Sequence, residues 1–196
     1  MKTSAWLLLL SLLCSACEKP LRLPYVTPEL ENWPTPYEGI AGLKLHVFKT
    51  GEVTALKKLA YRGSSLLDTL NLDILVFAIE HPRHGVVLVG TGLSRAVAHE
   101  AESYLGGFRT AIGSLTMAER QEIFSQLAYA NLSAQRVRTI ILPDLRFSHT
   151  GELENFPTAQ IVAASAEYAA ASEEEESALS IGDEYDGVTQ WRFIDF

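Results

Sequence analysis

Ile140-Ile141-Leu142-Pro143-Asp144-Leu145-Arg146-Phe147-Ser148-His149-Thr150-Gly151-Glu152 is the stretch whose reading decides the fold. A β-branched, apolar run stops at a proline and passes into a polar turn carrying an aspartate, an arginine, a histidine and a glycine. A continuous apolar run is what a buried strand requires, and such a strand delivers the side chains beyond its end to a cleft. Outward from this junction, strand-like and helix-like segments alternate in both directions.

Upstream, Asp73 to Glu80 and Gly85 to Val89 are two apolar strands joined by His81-Pro82-Arg83-His84. Two histidines three apart invite a metal assignment, but a proline-containing hairpin turn is the better reading. Leu43, Leu45 and Val47 alternate with Lys44, His46 and Lys49 up to Thr50-Gly51, a half-buried strand closed by a turn with His46 on its solvated side. Ser94 to Tyr104 reads as a helix capped by Ser94, carrying Val97, Ala101 and Leu105 near one face and ended by Gly106-Gly107. Thr116-Met117-Ala118-Glu119 has the form of a capping box, and Ile123, Leu127 and Ala130 continue a second apolar stripe before the chain returns to the sheet at Val137. Downstream, Ala159 to Ala164 is a short strand and Ser165 opens a helix through Ala171. The glutamates at 173 to 176 read as a solvated face, because adjacent helical residues do not converge on one point. Trp191 to Phe196 ends the chain on an apolar note.

With 196 residues, 47% of them hydrophobic, the chain can bury one substantial core. A net charge of -8 argues against nucleic acid, which needs clustered Lys and Arg. Lys2, the apolar run Trp6 to Leu13 and Cys14-Ser15-Ala16 form a signal peptide over residues 1–16, too short in its apolar part to span a bilayer. Leu13-Cys14-Ser15-Ala16-Cys17 resembles a bacterial lipoprotein lipobox, with Cys14 where Leu, Val or Ile is usual. That resemblance implies lipidation at Cys17 and an exported protein held to a membrane; ordinary signal-peptidase cleavage before the same residue is the other reading. Either way one cysteine remains, so the exported domain has no internal disulfide. Residues 17–42, punctuated by Pro20, Pro24, Pro28, Pro34 and Pro36, read as a tether and N-terminal arm on which Trp33 and Tyr37 dock, leaving 43–196 as the folded domain.

The stretch from Ile140 to Glu152 resembles the metallo-β-lactamase superfamily, most closely its lactonase-like members, whose strand ends in His-x-His-x-Asp-His followed by Ala or Thr and two glycines. On that pattern Asp144 stands at the first His, Arg146 at the second, Ser148 at the Asp and His149 at the last His. Val87 to Leu93 resembles a second signature, a strand ending in Asp-Thr-Gly, with Gly90 in place of the Asp, and Glu167-Tyr168-x-x-Ala171 matches an E-Y-x-x-A run. The resemblance implies an α/β fold, an αββα sandwich truncated to its first βα half, with an apolar sheet face that a protein partner, a second copy or the membrane surface must cover. It also implies zinc chemistry, in which imidazoles and carboxylates hold a metal whose bound water ionises near about pH 7.

The donor set is depleted against that expectation. Asp144 for His exchanges one zinc ligand for another. Arg146 for His puts a fixed cation where the metal would sit and cannot ligate. Ser148 for Asp removes a carboxylate, no Gly-His-Thr occurs, and no histidine follows His149. The expectation is therefore a lipid-anchored, non-catalytic member of the fold without a cofactor, acting by binding or partner association. The alternatives are a zinc-dependent lactone or ester hydrolase, with Asp144 and His149 as ligands and a dimer partner supplying the rest, and a truncated gene product without independent function.

Overall fold

A computed structural model of the chain describes residues 39–65, 67–105, 113–173 and 184–195. The signal peptide, Cys17, the arm to residue 38, Gly106-Gly107 and Glu174 to Glu176 lie outside the described residues. The strands are β1 (Lys44–Leu56), β2 (Thr69–His81), β3 (Gly85–Val89), β4 (Gly113–Thr116), β5 (Val137–Ile141), β6 (Gln160–Ala164) and β7 (Trp191–Ile194). The helices are α1 (Lys57–Ala60), α2 (Arg95–His99), α3 (Ala101–Leu105), α4 (Ile123–Tyr129), α5 (Phe147–Thr150) and α6 (Ser165–Glu173). The seven strands form one sheet in the order β4-β1-β2-β3-β5-β6-β7. β4, β1, β2 and β3 are each antiparallel to the next, and β3, β5, β6 and β7 run parallel.

The β2–β3 hairpin forms where the sequence places it. His81 Nδ1 accepts hydrogen bonds from the backbone N–H groups of Arg83 and His84, both at 3.1 Å, so this histidine closes a turn. β1 departs from expectation: it does not turn at Thr50-Gly51 but bulges there and continues to Leu56. The bulge turns Thr50 inward, where it is fully buried and its Oγ1 donates to Ile74 O at 3.3 Å and accepts from Leu93 N at 3.2 Å. The capping box at Thr116 is also overturned. Thr116 pairs with Glu52 as the last residue of edge strand β4, and α4 begins only after Glu122, still burying Ile123 and Leu127. The helix capped by Ser94, whose Oγ accepts from Val97 N at 3.1 Å, breaks at Glu100 into α2 and α3. The apolar stretch Trp191–Ile194 becomes the seventh strand, beside β6.

Two rows across the sheet explain where the core sits. His46, Ala78, Leu88, Ile140, Ile161 and Trp191 are successive partners on one face, which buries Ala78, Leu88, Ile140 and Ile161 under α4 and α6. A second cluster on that face joins Ile74 to Leu93, Val97, Leu105 and Phe147. On the opposite face run Val47, Phe77, Val89, Ile141 and Val162, flanked by Leu45, Ile79 and Val87. Part of this second face is open to solvent, with Leu45 63% exposed, Val47 54%, Ile141 39% and Phe77 37%, whereas Val162 on β6 is buried. The alternation in β1 is thus the reverse of the expected one. Leu45 and Val47 stand in solvent, while His46 is half-buried with its Nε2 3.6 Å from Glu80.

Candidate functional site

The site is built where β3 and β5 end side by side. In a parallel sheet the loops beyond the carboxyl ends of the strands form a crevice. Beyond β3 the chain turns through Gly90 and Gly92, both at positive φ (69° and 79°), a conformation glycine adopts without strain. Gly90 N donates to Ile141 O at 2.8 Å, and the N–H and hydroxyl of Thr91 both donate to His149 O, at 2.8 and 2.9 Å. Gly151 N donates to Gly92 O at 3.0 Å. The two loops are therefore zipped together through the residues of both family-like signatures.

Asp144 and His149 meet, with His149 Nδ1 2.6 Å from Asp144 Oδ1. The same carboxylate oxygen accepts the Arg146 backbone N–H at 3.1 Å, and the exposed Arg146 guanidinium lies 3.7 Å from Oδ2. Burial pushes the Asp144 carboxyl up, but the hydrogen bonds from His149 and Arg146 outweigh it and hold the group below its ordinary range. Ser148 is half-buried on α5. A β-carbon at Gly90 would stand 3.2 Å from His149 Cδ2, so the backbone at Gly90 packs directly against the imidazole.

These residues do not fit a zinc site. One oxygen of Asp144 is occupied twice over, its other oxygen faces a permanent cation, and among the described residues no group of three His, Cys, Asp or Glu side chains could hold a metal. A zinc ion needs four ligands, at least three of them from protein in a catalytic site. The arrangement can orient His149 and order the turn.

Two acids emerge only from the structure. Thr150 Oγ1 donates to Glu184 Oε2 at 2.7 Å, beneath the turn. Burial raises the Glu184 carboxyl to about 6, against the hydrogen bonds from Ser94 and Thr150 and with the help of nearby Glu154 and Glu152. Its Oε1 is buried without a hydrogen-bond partner. Glu122 is buried at the start of α4, paired with the Arg95 guanidinium and the Ser125 hydroxyl. Neither acid belongs to a periodic pattern or motif, so nothing in the sequence distinguishes it from the surface glutamates.

No protein-family model matches the chain, and no curated protein does. Solved structures do. The chain is similar to an N-acyl homoserine lactone hydrolase with N-hexanoyl-L-homoserine bound at its catalytic metal centre, at 21% identity and TM-score 0.67 over 77% of this chain and 59% of that one. It is similar to a B. thuringiensis AiiA variant with N-decanoyl-L-homoserine at its active site, at 20% identity and TM-score 0.68 over 77% and 59%. A dizinc quorum-quenching lactonase, AidC, matches at 14% identity and TM-score 0.51 over 81% and 60%. The fold is therefore a partial metallo-β-lactamase-like α/β fold. The chain spans about 59% of the length of the first of these structures.

Proposed function

We propose that this chain is an exported, lipid-anchored docking protein built on a metallohydrolase fold, working by association through the bare face of its sheet and not by metal-dependent hydrolysis. The observation that carries the reading is the apolar surface of Leu45 and Val47 on β1, Phe77 on β2 and Ile141 on β5, all facing solvent. Folded chains seldom leave a contiguous apolar face uncovered without an interaction to use it. The Asp144–His149–Arg146 turn supports the second half of the reading, since its donors are consumed by one another. Lys2, the apolar run to Leu13 and Cys17 support the anchor.

A second reading, hydrolysis of lactones or esters with zinc held by Asp144 and His149, is favoured by one fact: both residues stand together at the carboxyl ends of parallel strands. One experiment separates the two. The full chain, stripped of metal and then offered zinc, is assayed with an N-acyl homoserine lactone and a simple ester, and with a polarity-sensitive dye. The docking reading expects no turnover above the protein-free rate, and dye binding that Phe77→Asp reduces severalfold. Chelator-sensitive turnover abolished by His149→Ala would establish the hydrolase instead.

A further inference from the structure

We infer that the tip of the β1–β2 hairpin, residues 57–68, docks on the surface of a bilayer that carries anionic lipid. The inference concerns a different surface from the sheet face above and needs no lipid at Cys17, so it stands or falls apart from the docking reading.

The tip runs on past the rest of the sheet. β1 and β2 pair with each other from end to end, whereas β3 pairs with β2 only from Phe77 to His81 and β4 with β1 only from Glu52 to Ala55. The chain between Leu56 and Thr69 therefore lies beyond the last partners on both sides. It is a built loop. Lys57 N donates to Asp68 O at 2.8 Å and closes the base, and α1 packs on β1 and β2. The N–H and hydroxyl of Ser64 both donate to Tyr61 O, at 3.1 and 2.8 Å, and Ser65 Oγ accepts from Leu67 N at 3.3 Å.

This loop holds its apolar groups outward. Leu67 is 89% exposed, more than any other large hydrophobic residue described, and Tyr61 is 61% exposed. Moving such groups out of water is favourable wherever an apolar medium is offered. Bases stand with them: Lys58 and Arg62 are exposed and Lys57 is half-buried. Lys58 Nζ donates to Arg62 O, so the ammonium lies at Arg62. The acid of the loop, Asp68, accepts Ser65 N at 3.2 Å. Three bases against one acid make the tip cationic within a chain of net charge -8.

That combination selects the occupant. Each base near an anionic lipid surface strengthens binding about fivefold, and a tyrosine beside a leucine suits the boundary where headgroups meet acyl chains. An acidic protein surface would satisfy the bases but leave Leu67 without an apolar cover.

Hydrogen exchange of the full chain on vesicles, read peptide by peptide, tests the inference, because the apolar run Trp6 to Leu13 contributes to bulk binding but not to protection of the tip. Vesicles of phosphatidylcholine alone are compared with vesicles in which a third of the lipid is phosphatidylglycerol. The amides of residues 57–68 are expected to exchange severalfold more slowly on the anionic vesicles and at the vesicle-free rate on the neutral ones. Leu67→Asp with Lys58→Glu, both exposed positions, is expected to abolish the slowing, with unchanged exchange in β2 and β5 confirming the fold. Chain that sediments with anionic vesicles while its 57–68 amides are not slowed overturns the inference, as does chain that does not sediment with them. Equal slowing on neutral vesicles, or slowing that persists in the double variant, also overturns it. Slowing by soluble polyglutamate without vesicles overturns it in favour of an acidic polypeptide.

Discussion

Gly92 sits where the two signature loops cross the bulge of β1. A β-carbon there would stand 2.1 Å from Thr50 Oγ1, and φ is 79°. Gly92→Ala is expected to cost about 2–4 kcal/mol, overpacking adding to backbone strain, as read from chemical denaturation. Glu184 lies deeper. Its folded-state value of about 6 stands above its ordinary 4.5, so the fold favours the protonated form. This contribution is fully present below about pH 4.5 and is lost as pH rises through 6, a difference of roughly 2 kcal/mol. Asp144 acts in the opposite sense: its lowered value stabilises the fold above its unfolded value and the contribution is lost as pH falls through the folded one. The difference in unfolding free energy between Glu184→Gln and wild type, measured at pH 4.5 and 7.5, isolates the first group. It is expected to favour the variant at the higher pH, and a difference that does not change with pH would contradict the burial of this carboxyl. Of these residues the sequence exposed the motif positions, because Asp144, Arg146, Ser148 and His149 follow a strand at recognisable spacing. It could not expose Glu184 or Thr50, whose burial depends on loops packed over them from distant parts of the chain.

Strands were legible wherever apolar residues ran on or alternated, as in β2, β3, β5 and β6. The misreadings come from tertiary pairing overruling a local signal. Thr50-Gly51 has turn chemistry, yet β2 pairs along the whole of β1 and the pair becomes a bulge. Thr116-Met117-Ala118-Glu119 has helix-start chemistry, yet β1 offers Thr116 a strand partner. Alternation in β1 also showed which side is apolar but not that this side lacks a cover, since periodicity reports which residues call for burial and not whether anything buries them. Between elements, Arg95 on α2 pairs with Glu122 at the start of α4, whose side chain is only 3% exposed. Arg95→Ala leaves a buried carboxylate without its counterion and is expected to cost about 2–4 kcal/mol. Arg95→Ala with Glu122→Gln should recover most of that loss, and no recovery in this double variant would show that the pair is not what ties α2 to α4.

At the scale of the molecule, one sheet carries a helix-covered face with a dense core and a second face whose apolar residues Leu45, Val47, Phe77 and Ile141 are open to solvent. The likeness to lactone hydrolases covers 77% of this chain and 59% of the first such structure. The groups placed there are directed at each other: Asp144 at His149, Arg146 at Asp144, the Thr91 hydroxyl at the His149 carbonyl. In the docking function proposed above, the scaffold is kept and its free surface, not its loop crevice, faces a partner. The most direct measurement of that claim is the zinc-to-protein ratio of the full chain after loading with excess zinc and removal of the unbound ion. A ratio far below one, unchanged by His149→Ala, is expected. A ratio of one or more that falls in His149→Ala would contradict it.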